Sequence, residues 1–185
     1  MLGVYVHIPF CRHKCLYCDF PSYSGLDCYM AGYVPALCRE IAATPYAGKP
    51  VDTIYIGGGT PSILSAPSME AIVRTLRQTF AVTGDAEITI EANPESLDRE
   101  KAEAYVACGI NRLSLGIQSF SDEMLSFLGR IHTAKEGEQA LDAAWKAGIR
   151  NLSIDLMYGL PGQTVDDVRR DVQRLGEDRK STRLN

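Results

Sequence analysis

Tryptophan and histidine are scarce in this 185-residue chain, at one and three residues, and lysine and arginine never gather into a run of five. With a net charge of -4 and its cations scattered, the chain offers no electrostatic footprint for nucleic acid or for an anionic membrane. The opening MLGVYVHIPF has no Lys or Arg ahead of its apolar run and breaks at Pro9, so it reads neither as a secretory signal nor as a membrane span. A cytoplasmic location is the expectation. There, six cysteines read as reduced thiols or metal ligands rather than as a disulfide framework. Signs of disorder are also missing, because 45% apolar and 23% charged residues are ordinary for one globular domain of this length.

What is present is alternation. Short apolar, β-branched runs at 2–7, 53–56, 87–91, 112–115 and 151–156 predict five strands, with helical patterns at about 29–43, 67–80, 98–107, 133–147 and 164–175. Five βα units predict an α/β protein with a parallel sheet, its apolar strands expected to be buried on both faces. Ser65 and Pro67 suit a helix start, and Gly84, Gly109 and Gly148 suit helix exits ahead of the next strand. Trp145 falls on an apolar helix face with Leu141, and Glu136 and Glu138 fall on a solvated one. Cys28, Cys38 and Cys108 lie on helical patterns and read as small hydrophobes without a function.

The chemically informative residues recur at one place in each unit, just after the strand. They are Cys11, Cys15 and Cys18, then Gly57-Gly58-Gly59-Thr60, Glu91-Ala92-Asn93-Pro94, Gly116-Ile117-Gln118, and the segment from Asp155 to Gly162. Ligands of barrels and open α/β sheets alike bind at the carboxyl ends of the strands, so these segments are expected to meet at one site.

Within "HIPFCRHKCLYCDF" the spacing CxxxCxxC places three thiols in eight residues with no fourth in step. Thiolates hold iron-sulfur clusters, and three of them leave one iron of a [4Fe-4S] cube open to another ligand. A zinc site that recruits His7 or His13 as its fourth ligand is the alternative. The other segments have plain alternatives as well. A glycine triplet can be a tight turn, Glu91 can cap the Asn93-Pro94 turn, Arg130 and His132 can be a polar helix approach, and Asp155 can cap the YGLPG turn.

CxxxCxxC after a first strand, with Tyr17 just before the last cysteine, resembles the radical S-adenosylmethionine (SAM) superfamily. The resemblance continues in order through YVHIPFC, IYIGGGTPS, ITIEANPE, RLSLGIQSF, LGRIHT and DLMYGLPGQT. It is similar to the branch that holds oxygen-independent coproporphyrinogen III oxidases and HemW-type heme chaperones. The resemblance implies a partial (β/α)6 barrel, α/β in class, in which Cys11, Cys15 and Cys18 hold a [4Fe-4S] cluster and SAM chelates the open iron. One electron from the reduced cluster would then cleave the sulfonium carbon–sulfur bond and release a 5′-deoxyadenosyl radical. It also implies Tyr5 near the sulfonium, Tyr17 against adenine, backbone groups of Gly58, Gly59 and Thr60 for the methionine amino group, and Glu91 accepting hydrogen bonds from SAM. Gln118, Arg130 and Asp155 match positions that line a SAM pocket in the oxidases.

Two departures bear on the branch. The oxidases carry a further cysteine two residues after the third, where this chain has Phe20, and they carry a segment ahead of the first strand. Both favour the heme chaperone, with heme or porphyrin as cargo, a heme-acceptor protein, and an electron donor such as flavodoxin or ferredoxin. Family members are much longer, with a sixth strand and a C-terminal domain. The expectation is therefore an incomplete core barrel over 1–178, then a polar tail at 179–185 that does not read as a strand, and a parallel edge left uncovered. A zinc-stabilised binding module is the reading from a different class.

Overall fold

The computed structural model describes residues 2–178 and 183–184. Its strands are β1 (Leu2–Ile8), the short β2 (Phe10–Cys11) and β3 (Tyr23–Ser24), β4 (Pro50–Gly58), β5 (Ala81–Ala92), β6 (Arg112–Gln118), β7 (Asn151–Leu156) and β8 (Arg183–Leu184). Its α-helices are α1 (Met30–Ala42), α2 (Ala66–Thr79), α3 (Arg99–Ala107), α4 (Asp122–Phe127), α5 (Ala134–Ala147) and α6 (Val165–Asp178). The main sheet runs β1-β4-β5-β6-β7-β8, every neighbouring pair parallel and in chain order, with helices between the strands. The five expected βα units are present.

The faces of this sheet differ. Side chains alternate along a strand, so every second residue shares a face. Val6, Ile54, Ile56, Ile88, Ile90, Leu113, Leu115, Leu152 and Ile154 are buried in one core with Met69, Ile72 and Leu76 of α2, Tyr105 of α3 and Ala144 of α5. The interleaved positions are polar: Tyr5, Tyr55, Thr89, Arg112 and Asn151 are register neighbours across five strands. One face is apolar and helix-covered; the other is polar, open at Tyr5 but buried at Thr89, Ser114 and Ser153, so the central strands are buried on both faces as expected. The apolar positions alone make each strand read as hydrophobic.

Several local readings change too. Gly84 is not a helix exit. It lies inside β5, where register passes from Val51↔Val82 to Thr53↔Glu87, so the residues between form an irregularity in a 12-residue strand rather than a loop before it. Helix α4 was absent from the sequence reading. It starts at Ser121, whose hydroxyl accepts from the Met124 N–H. Glu136 is more than a solvated face residue, since it closes a capping box with Thr133 at the start of α5. Ser65 caps α2, and Gly148 ends α5 at φ 103°, a conformation glycine adopts without strain. Of the expected tail, Arg183 and Leu184 pair in parallel with Ser153 and Ile154 of β7, a strand where the sequence showed none. The remaining tail positions lie outside the described residues.

Candidate cofactor site

The cysteine loop is held by the backbone at its base. β2 pairs with β3, the Tyr23 N–H donates to Pro9 O at 2.8 Å, and Lys14 Nζ donates to Phe20 O and Ser22 O at 3.1 and 3.2 Å. The Cys18 N–H closes a turn onto Cys15 O at 3.1 Å, and the Leu16 N–H reaches Leu128 O at 3.3 Å. His7 is committed to the same frame. Its Nε2 faces Pro21 O at 2.9 Å, a carbonyl that can only accept, so Nδ1 is the acceptor for the Tyr5 hydroxyl at 2.9 Å. Cys11 is buried, while Cys15 and Cys18 are half-buried.

A glycine strap crosses this loop. The Gly59 N–H donates to Ile8 O and the Thr60 N–H to Phe10 O, both at 2.7 Å, and the Gly58 N–H donates to Glu91 Oε2 at 3.0 Å. A side chain at Gly59 would put its Cβ 2.6 Å from Phe10 O and 2.9 Å from Cys11 Sγ, so glycine is required for the strap to lie against the first cysteine. Glu91 also accepts from the Tyr55 hydroxyl at 2.6 Å. Burial raises the Tyr55 hydroxyl well above its ordinary pKa, and the Glu91 hydrogen bond raises it further.

Behind the strap a polar chain joins the cysteines. Arg130 donates through NH2 to Asn93 Oδ1 at 2.9 Å and Gly116 O at 2.8 Å, and through NH1 to Cys15 Sγ at 3.5 Å. Asn93 Nδ2 donates to Thr60 Oγ1 at 3.1 Å, and Thr60 Oγ1 donates to Cys11 Sγ at 3.5 Å. Burial works against the Arg130 charge, but Tyr17, Cys15 and Glu95 more than offset it and hold its pKa above the ordinary value. Burial pushes the Tyr17 hydroxyl up to about 12, the Arg130 charge pulling the other way and Cys15 adding to the rise. Burial also raises Asp155, whose carboxylate has the Ser114 hydroxyl, at 3.4 Å, as its one hydrogen-bond donor among the described residues.

These groups enclose a cavity of about 170 Å³. Cys11, Cys15, Cys18, Tyr17, Gly59, Thr60, Glu91, Gln118, Arg130 and Asp155 all line it. The convergence expected from the strand ends is therefore real. Tyr5 and Gly58 are not on the lining; Tyr5 lies beside it, its ring stacked on Tyr55 at 6.2 Å. Gln118 sits at φ 69°, the only non-glycine residue with positive φ among those described, and such strain is stored where a site requires it. Asp155 does not cap the YGLPG turn; Gln163 does, accepting from the Leu160 N–H at 3.2 Å. Sequence reasoning took Asn93 as a turn residue before Pro94 and missed its place at the centre of the polar chain. His132, expected in a polar approach, is buried and faces Glu95 at 3.5 Å.

Together these features define a class: an α/β protein with a polar cavity at the carboxyl ends of parallel strands, lined by three thiols. A sequence model of the radical SAM superfamily matches residues 5–175, and the chain belongs to that superfamily. It is 45% identical over 171 residues to the heme chaperone HemW of Synechocystis, covering 89% of this chain and 42% of the relative. It is 41% identical over 190 residues to HemW of Escherichia coli, covering 100% of this chain and 48% of the relative. The chain thus spans about half the length of the curated relatives it matches. Coproporphyrinogen III oxidase HemN of E. coli, described as a radical SAM enzyme, superposes with a TM-score of 0.89 at 31% identity, over 98% of this chain and 43% of that one.

The superfamily implies a [4Fe-4S] cluster and SAM, and the residues present fit them. Three thiols ring one cavity, and two of them already receive hydrogen bonds of the kind a thiolate accepts. Among the described residues, no three His, Cys, Asp or Glu side chains converge closely enough to hold a single metal ion. No helix among them is long and apolar enough to cross a membrane.

Proposed function

We propose that this chain is the radical SAM core of a cytoplasmic heme chaperone, which binds heme and transfers it to an acceptor protein, with flavodoxin or ferredoxin as electron donor. The observation that carries the reading is the three-thiol cavity in a chain that is 41–45% identical to two heme chaperones. When bound, the cluster and SAM supply one-electron cleavage of a sulfonium bond. Cys11, Cys15 and Cys18 hold the cluster. The strap amides are spent on Ile8, Phe10 and Glu91, so Gly58, Gly59 and Thr60 would offer carbonyl oxygens, which are the groups an amine needs. Glu91 keeps lone pairs for SAM beyond the two donors it already has. The raised Asp155 carboxyl, which faces one donor among the described residues and lines the cavity, suits ligand hydroxyl or amine hydrogens. Tyr17 and Gln118 complete the walls, and Tyr5 guards the rim.

The second reading, an oxygen-independent coproporphyrinogen III oxidase, is favoured by the structural likeness to HemN and opposed by Phe20 where the oxidases carry a further cysteine. Anaerobic reconstitution with iron and sulfide is expected to give a reduced-cluster EPR signal that changes on adding SAM. Added heme should then give a Soret band that moves to an acceptor apoprotein. Vinyl product from coproporphyrinogen III under reducing turnover overturns the chaperone in favour of the oxidase. Bound zinc without sulfide overturns both in favour of the binding module.

A further inference from the structure

The direction of every hydrogen bond between Arg130 and the first two cysteines is determined by valence. A guanidinium only donates, so the Asn93 atom 2.9 Å from it is the oxygen. The Asn93 nitrogen then faces Thr60 Oγ1 at 3.1 Å and must donate, so the hydroxyl accepts there and its single proton is left for Cys11 Sγ at 3.5 Å. The other arm of the same guanidinium donates to Cys15 Sγ at 3.5 Å, beside the Tyr17 hydroxyl. Gly116 makes room for this: its Cβ would lie 3.0 Å from Asn93 Oδ1. The Asn93 main chain is tied as well, its N–H donating to Ser62 Oγ at 3.2 Å.

We infer that Arg130, Asn93 and Thr60 form a one-way polar relay that aims donors at Cys11 and Cys15 and so sets the reduction potential of the cluster, with Asn93 as its positioning residue. The inference rests on the cluster reading above. Reduction adds one electron from a donor, with no bond made or broken, and raises the negative charge on the cysteine sulfurs. Donors aimed at those sulfurs stabilise the reduced form and raise the potential. Hydrogen bonds in such a chain also polarise one another, so the relay is expected to act as a unit.

The test is an EPR-monitored redox titration of the reconstituted full chain, without SAM, in the parent and in Thr60→Val, Thr60→Ser, Asn93→Leu and the Thr60→Val/Asn93→Leu double variant. Thr60→Val removes the last donor at constant charge and nearly constant volume. It is expected to lower the reduced-to-oxidised ratio at a given potential about tenfold, equivalent to 59 mV for a one-electron couple. Thr60→Ser keeps the hydroxyl and should titrate within twofold of the parent. The double variant should shift less than the two single shifts combined, as residues in one network do. A Thr60→Val protein with full iron and sulfide and the parent potential overturns the relay, and additive shifts overturn its acting as a unit. A parent that takes up no iron and sulfide at all overturns the cluster reading itself, a result distinct from either.

Discussion

At the scale of single residues, the site depends on how closely its own backbone and side chains pack against one another. Gly59 illustrates this, because the Cβ of an alanine would meet the Phe10 carbonyl and the Cys11 sulfur at 2.6 and 2.9 Å. Neither neighbour is the free end of a flexible chain, so the strap must lift from the cysteine loop. Gly59→Ala is expected to cost about 1–3 kcal/mol by overpacking and to lower the iron and sulfide taken up per chain. Urea unfolding and metal analysis of one preparation check both, and parent-like uptake would show that the strap and cysteine loop are not coupled. Glu91 gives a second case. Glu91→Ala strands the Gly58 N–H and the Tyr55 hydroxyl, and each hydrogen bond to a charged group is worth about 1.5–3 kcal/mol. Glu91→Gln can still accept from Gly58 through its oxygen and donate to the tyrosine oxygen. It is expected to keep most of that stability while weakening SAM affinity, measured by equilibrium binding to the reconstituted protein.

At the scale of elements, caps and buried polar anchors place the helices around the sheet. Asp171 on α6 is buried and accepts from the Ser119 hydroxyl at 2.8 Å and the Phe120 N–H at 3.0 Å, fastening the helix to the turn after β6. Asp171→Ala leaves that N–H buried without a partner and is expected to lower stability by about 2 kcal/mol. Asp171→Asn, which can keep both partners, should lose much less; urea midpoints at unchanged slope check the pair. The alternation of units was legible in the sequence because apolar strands and capped helices are local patterns, and the cysteines were legible because their spacing lies within eight residues. What was not legible is long-range or very short. Asn93 meets partners 33 and 37 residues away, so its sequence neighbours, Ala92 and Pro94, showed only a turn. Six-residue α4 is too short to display a helical period. The full length of β5 was hidden because Gly84 resembles a helix exit when no pairing partner is in view.

At the scale of the whole molecule, the parallel sheet brings its units together through polar ties at the carboxyl edge, and one buried tie joins the turn after β5 to the approach of α5. His132 Nε2 faces Ile117 O at 3.2 Å and must donate to it, which turns Nδ1 toward Glu95 Oε2 at 3.5 Å. The Arg130 charge also bears on this carboxylate, and Glu136 lies within electrostatic reach of it. Burial alone would raise the Glu95 pKa, yet the His132 ring, a backbone N–H and the Arg130 charge together hold it below the ordinary carboxylate value. A carboxyl depressed in the folded state adds stability above its unfolded pKa of about 4.3 and loses that stability as pH falls through the lower folded value. Removing the partner weakens that contribution. In His132→Leu the carboxylate keeps its burial and loses the ring that helps hold its pKa down, so its folded pKa rises from the parent's value. The variant then gains less than the parent from an ionised Glu95 near neutral pH, and acid takes less stability from it. Thermal melts from pH 7 to pH 4 should show the gap between parent and variant narrowing steadily as pH falls. A gap that stays constant over that range would mean that His132 supports the fold by shape alone.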